Sequence, residues 1–143
     1  MKFLHVGFKV ADIENSMKTY RDLFGITWEP VREYALTTQS ESGPTPTRTL
    51  VTHGKTDSGF EFEMIQLLDG TTPDDLVLEG RQGLSHVAFT VDDLAAAARR
   101  VEQGGLRKVN EFHSERVDFA FFADARLGGA LVQLVQFHGP RGA

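Results

Sequence analysis

The chain has 143 residues, 41% of them hydrophobic, and its 20 acidic against 15 basic side chains give a formal net charge of −5. That length buries one good core, whereas two separate units of about 65 residues would be marginal, and the acidic balance offers no basic footprint for nucleic acid or an anionic membrane. The absence of cysteine excludes disulfides, thiolate ligands and a cysteine nucleophile; with neither a signal peptide nor an apolar run of spanning length visible, the expectation is a cytoplasmic protein.

Residues 3–10 alternate Phe3, His5, Gly7 and Lys9 against Leu4, Val6, Phe8 and Val10, the period of a half-buried strand. Asp12 then offers a helix N-cap, Ile13, Met17, Tyr20 and Phe24 follow at helical spacing, and Gly25 is the stop signal. Three more strands are predicted over 28–36, 47–53 and 60–67, with the Ser, Thr, Gly and Pro of 37–46 forming a long hairpin loop. The aperiodic stretch 69–83 reads as a connection. The same grammar then returns: strand 85–91, a cap at Asp92 or Asp93, a helical stripe of Leu94, Ala97, Ala98 and Val101 closed by Gly104 and Gly105, and strands over 107–113, 117–123 and 130–137. Gly139 to Ala143 is expected to fray. The prediction is an α+β fold in one domain over 1–143, with a βαβββ module at 1–68, the connector at 69–83 and a second βαβββ module at 84–138.

The repetition extends to residues. Leu4 to Ile13 lines up with Ser85 to Leu94, and Gly59 to Leu67 with Gly129 to Phe137, so His5 and His86 are equivalent, as are Glu63 and Gln133. Strand parity sets all four opposite the helix-packing side chains. If the two sheets curl around a shared concavity, two imidazoles, a carboxylate and an amide oxygen meet there, a ligand set for one divalent ion such as Zn, Ni, Co, Mn or Fe(II) with open positions left over. A carboxylate in a partly dry place needs such pairing. The same parity predicts that Phe3, Leu50, Leu84, Leu131 and Val135 face the cup, joined by Phe119 and Phe121 or by Ala120 and Phe122, while small Gly7 and Ala88 leave room for a bound molecule. His53, His113 and His138 lack a repeat partner and are read as surface residues or as residues behind the ligands; Arg48 is read as a surface side chain.

On His5 with Val10-Ala11-Asp12-Ile13, the helix end Tyr20-Arg21-Asp22-Leu23-Phe24-Gly25, and Gly83-Leu84-Ser85-His86-Val87-Ala88-Phe89-Thr90-Val91-Asp92-Asp93, the chain resembles the vicinal oxygen chelate superfamily of glyoxalases, bleomycin resistance proteins and dioxygenases. The segment Leu84 to Asp93 is most similar to the methylmalonyl-CoA epimerase branch. The resemblance spans Leu4 to Phe137 and implies paired modules in a glyoxalase-like, cup-shaped, partly closed mixed sheet with helices outside, one metal held by His5, Glu63, His86 and Gln133, and a homodimer. Epimerases of this type pair His with Gln in the first module and His with Glu in the second; here Gln and Glu are exchanged. Glyoxalase I carries a carboxylate in both modules, where this chain has Gln133. The epimerase branch also implies a glutamate base on the third strand, where this chain has Arg48, Thr49 and Leu50. Glu61 and Glu33 are candidate replacements, each read first as a solvated strand residue.

The chemistry implied is removal of a proton beside a carbonyl, with the metal stabilising an enolate whose two oxygens it chelates. Glu63 is then the expected catalytic proton carrier, since an amide such as Gln133 does not titrate near neutral pH. The expectation is an isomerase, epimerase or lyase acting on a small carbonyl substrate. The alternatives are a non-haem Fe(II) dioxygenase on an aromatic or polyketide-like substrate, and a drug- or metabolite-binding protein without turnover.

Overall fold

The computed structural model of the chain describes residues 1–140. The elements run β1 (Lys2–Lys9), α1 (Ile13–Phe24), β2 (Thr27–Trp28), β3 (Arg32–Ser40), β4 (Gly43–Lys55), β5 (Glu61–Gly70), α2 (Asp75–Leu78), β6 (Gly83–Thr90), α3 (Leu94–Gln103), β7 (Arg107–His113), β8 (Val117–Ala123) and β9 (Leu131–Phe137). No helix among the described residues is long and apolar enough to cross a membrane. The expected fraying of the tail concerns residues 141–143 in part, and these lie outside the described residues.

Both long helices begin as their caps dictate. Asp12 accepts from the Asn15 amide and Asp93, rather than Asp92, from the Ala96 amide, so one free helix donor is satisfied at each start. A second donor is satisfied in the same duplicated way: Gln66 accepts from the Ile13 amide at 3.0 Å and Gln136 from the Leu94 amide at 2.9 Å. Those two glutamines are repeat partners, each tying a last strand to the helix of its own half.

The strands form one mixed sheet in the order β2-β4-β3-β7-β8-β9-β6-β1-β5, and pairing of β4 with β5 closes eight of them into a ring. The pairs β1–β5 and β6–β9 are parallel, and β1–β6 is antiparallel at the centre of the duplication. The cup expected from the sequence is closed further than expected because 37–46 is not a loop. β3 and β4 continue through it to a turn at Glu41-Ser42, and Gln39 and Ser40 reach Glu111 and Asn110 of β7. Four β-branched threonines, at 37, 38, 45 and 47, favour extension, and Pro44 and Pro46 lie where the β5 pairing, which begins at Thr47, has not started. Pro30 falls between β2 and β3, so the predicted strand 28–36 is two pieces that both pair with β4.

Outside the ring, Leu94 and Ala98 of α3 pack on Ala120, Phe122 and Leu134 in a buried cluster, with Ala97 and Val101 of the same stripe partly buried against it. Inside it, Leu4, Ala88 and Val135 pack together, and Val109, Phe121 and Leu131 pack with Val77. Val77 belongs to α2, a helical turn within the stretch read as an aperiodic connection, and it stoppers the ring near the Lys9 end of β1. The Phe3 end of β1 instead borders a cleft of about 310 Å³, lined by Phe3, Leu4, Lys55, Ser58, Gly59, Phe60 and Glu61.

Candidate metal centre

The register brings the duplicated residues into two rows that cross the central β1–β6 pair. In one, His53 of β4 faces Glu63 of β5, Glu63 faces Gly7 of β1, and Gly7 faces His86 of β6. In the other, Phe121 of β8 faces Gln133 of β9, Gln133 faces Ala88 of β6, and Ala88 faces His5 of β1. Each row ends on a histidine from the opposite half of the chain, so the duplication itself draws His5 and His86 together.

The result is a compact group. His5 Nε2 lies 3.1 Å from His86 Nε2, His86 Nε2 lies 3.3 Å from Glu63 Oε1, and His5 Nε2 lies 3.6 Å from that same oxygen. Atoms bound at about 2.0–2.1 Å to one tetrahedral ion sit roughly 3.3 Å apart, so these three can share a cation without rearrangement. Gln133 shares the inward face with Leu131 and Val135, one strand beyond, and its Oε1 is buried with no hydrogen-bond partner among the described residues. An orphaned buried acceptor costs free energy, and a cation would satisfy it.

The electrostatics fit the same reading. Burial pushes the His5 imidazole down to about 4, so it is neutral near pH 7. Burial would raise the Glu63 carboxyl, but His5, His53 and His86 around it outweigh that and hold it well below the ordinary carboxylate value. Glu63 Oε2 accepts from His53 Nε2 at 2.7 Å. Burial acts to lower His53, yet the hydrogen bond to Glu63 prevails and raises it. Of the two readings the sequence left open for His53, the structure thus has it behind the ligands, hydrogen-bonded to Glu63, rather than on the surface. It lacks a repeat partner because its counterpart across the pseudo-twofold is Phe121, which meets the His86 ring edge-on at a centroid separation of 5.1 Å. The hairpin between β4 and β5, turning at Asp57-Ser58-Gly59, carried the signal that sets His53 opposite Glu63.

Several predicted cup residues lie elsewhere, Phe3 and Leu84 for a shared physical reason. Between β1 and β6 the register slips at Leu4 and again at Ser85, each an extra residue opposite a single partner. Past such a bulge strand parity inverts. Phe3 therefore pairs with Phe89 and meets it edge-on, leaving Leu4 inside, and Leu84 pairs with Phe8, leaving Ser85 inside. Leu50 faces Gln66, the residue that caps α1, and so is also on the helix side. Leu131 and Val135 do face inward, joined by Phe119 and Phe121 rather than Ala120 and Phe122. Gly7 leaves no room for a ligand, because a Cβ there would meet the His86 ring. Glu61 is buried at the cleft rather than solvated, whereas Glu33 is half exposed in an ion pair with Arg48 at 3.8 Å.

Comparison with known proteins decides the family. The family model described as Glyoxalase/Bleomycin resistance protein/Dioxygenase superfamily matches residues 4–122. The chain belongs to this superfamily. No curated protein matches it in sequence. Among solved structures, methylmalonyl-CoA epimerase from Mycobacterium tuberculosis is similar at a TM-score of 0.66 and 23% identity, over 98% of this chain and 89% of that one. A hypothetical protein from Bacillus halodurans C-125 is similar at 0.69 and 16%, over 99% and 98%. A mutant 4-hydroxymandelate synthase from Streptomyces coelicolor is similar at 0.65 and 16%, over 99% of this chain and 51% of that one. At these identities the likeness is one of fold, and it matches the glyoxalase-like architecture described above.

Proposed function

We propose that this superfamily member is a divalent-metal-dependent isomerase, epimerase or lyase that moves a proton next to a carbonyl. The observation that carries the reading is the convergence of His5 Nε2, His86 Nε2 and Glu63 Oε1 within 3.6 Å of one another on an inward face. His5, His86 and Glu63 would hold the ion, with Gln133 Oε1 as the fourth protein donor. When bound, a divalent ion stabilises the negative charge that develops on a carbonyl oxygen as the neighbouring C–H bond breaks. Family membership and the likeness to methylmalonyl-CoA epimerase support a substrate with adjacent carbonyl oxygens.

The chain's own part is to orient and to carry the proton. Glu63 is the single carboxylate among the proposed ligands, and the His53 hydrogen bond fixes its carboxylate plane. The expected third-strand base has no counterpart: β4 offers Arg48, Thr49 and Leu50 there. Phe119, Phe121 and Leu131 exclude water from the far side of the cluster. We further propose entry from the Phe3 end of β1, where the cleft lies, since α2 closes the other end.

The test is deuterium wash-in. Chelator-stripped protein, reloaded separately with Zn²⁺, Ni²⁺, Co²⁺ or Mn²⁺, is incubated in D2O with methylmalonyl-CoA and a panel of simpler compounds acidic beside a carbonyl. The expected result is one ion per chain and metal-dependent wash-in for at least one compound, falling about a hundredfold or more in Glu63→Gln with the fold unchanged. Full activity in that variant, or a loaded protein inert towards the whole panel, overturns the reading. A second reading has its own support: two histidines and one carboxylate are also the facial set of non-haem Fe(II) oxygenases. Oxygen consumption by the Fe(II)-loaded protein, without wash-in, would establish that one instead.

A further inference from the structure

Directly behind His86 lies a second buried polar cluster that the proposed chemistry does not use. Lys9, Asp74 and Ser85 are only 9%, 3% and 1% exposed. Lys9 Nζ donates to Asp74 Oδ1 at 2.8 Å and to the Thr72 hydroxyl, and Thr72 donates in turn to Asp74 Oδ1 at 2.6 Å. The other carboxylate oxygen, Oδ2, accepts from Ser85 Oγ at 2.8 Å, and Ser85 Oγ lies 2.9 Å from His86 Nδ1.

Counting protons fixes the direction of this chain of bonds. An ionised carboxylate only accepts, so the single hydroxyl proton of Ser85 is spent on Asp74. Ser85 Oγ can then meet His86 Nδ1 only as an acceptor, which requires a proton on Nδ1. In the neutral ring, the form a cation takes, Nε2 is then the nitrogen with the lone pair, and Nε2 is the atom that faces His5 and Glu63.

We propose that Ser85 and Asp74, braced by Lys9 and Thr72, are positioning residues that lock His86 in its Nδ1–H form and so hold Nε2 ready for the cation. The tautomer follows from the bonds above; the effect on affinity rests on the metal reading of the site. Nothing comparable supports the other histidine, since His5 Nδ1 is buried without a hydrogen-bond partner among the described residues. The device thus belongs to one half of the duplication. It exists because the register slip at Ser85 turns that hydroxyl inward beside the His86 ring. Partners of this kind, which orient a ligating imidazole through its far nitrogen, are typically worth about ten- to a hundredfold in metal affinity.

The experiment joins nitrogen-15 imidazole NMR of the chelator-treated protein to Zn²⁺ affinity by chelator competition, on wild type, Ser85→Ala, Ser85→Thr and Asp74→Asn. The expected result is a protonated Nδ1 and bare Nε2 at His86 in wild type and Ser85→Thr. In Ser85→Ala a mixture of tautomers and a ten- to hundredfold loss of Zn²⁺ affinity are expected, with Asp74→Asn shifted in the same direction. A wild-type His86 carrying its proton on Nε2 overturns the proposal without any variant, as does a Ser85→Ala protein whose tautomer and affinity match wild type. If wild type shows the Nδ1–H form yet takes up no Zn²⁺, the metal reading fails and the affinity claim with it, while the relay stands on the spectrum. If every protein takes up one ion with equal affinity, the relay fails and the metal reading stands.

Discussion

His113 and His5 carry the same side chain into opposite titration behaviour. His5, deep in the ring, is pushed down by burial, whereas His113 is 57% exposed with Nδ1 at 3.3 Å from Asp118 and Nε2 at 3.4 Å from Glu111. The Asp118 hydrogen bond, then Glu111, raise His113 above its ordinary value of 6.5. A folded-state value above the unfolded one favours the fold below about 6.5, and that contribution disappears as pH rises through the raised value. The His113 ring proton should therefore titrate above 6.5 by NMR and return towards that value in Asp118→Asn; an unmoved midpoint would show that Asp118 is not the cause. The effect on global stability stays small, because the pair is solvated. At this scale the sequence was informative wherever the duplication printed a residue type twice or nearly twice, as at His5 with His86 and Glu63 with Gln133. It was silent at His53, whose counterpart is an aromatic ring, and at Asp74, which lies between the repeats.

Among the elements, the strands and long helices follow from period and caps, but which side chain points inward does not once the register slips. Two extra residues, Leu4 and Ser85, send Phe3 and Leu84 to the helix side, and no periodicity in the sequence marks either slip. The same central pair depends on Gly7 for a reason of packing. A Cβ at Gly7 would lie within 3.0 Å of His86 Nδ1, Cε1 and Nε2, and the ring cannot retreat, held by Ser85 on one edge and Phe121 on its flank. Gly7→Ala should cost about 1–3 kcal/mol in urea unfolding, the range for overpacking a filled core, and should weaken Zn²⁺ binding as Nε2 is displaced. Wild-type stability together with wild-type affinity would mean that the strands separate freely there, contrary to the tight central pairing. The hairpin loop expected over 37–46 failed differently: Gly and Pro read as breakers are compatible with an extended edge, and the extension is what closes the ring.

For the molecule as a whole, the paired βαβββ pattern was legible because each half repeats the strand, cap and helix signals, while the closure at β3–β7 was not, because it is made by the part of β3 beyond residue 36 that reads as loop, and the stopper at α2 was not, because it lies in the connector, which has no counterpart in the second half. A buried ion pair sits beside the stopper. Lys9 from the first strand, Asp74 from the connector and Ser85 from the second half meet in one buried network, so removing Asp74 strands an ammonium group that is only 9% exposed. Breaking a buried pair on one side costs about 3–5 kcal/mol, whereas replacing both partners with apolar side chains of similar volume is often neutral. Asp74→Leu should therefore lower the unfolding free energy by about 3–5 kcal/mol, and adding Lys9→Met should recover most of the loss in chemical denaturation. If the double variant is no more stable than Asp74→Leu alone, the cost lies with Ser85 and Thr72, whose hydroxyls lose their acceptor, and the network's weight rests on hydrogen bonds rather than on the ion pair. Recovery would instead show that the charges of Lys9 and Asp74 are dispensable for holding α2 in place, leaving orientation of His86 as the role that would account for burying them.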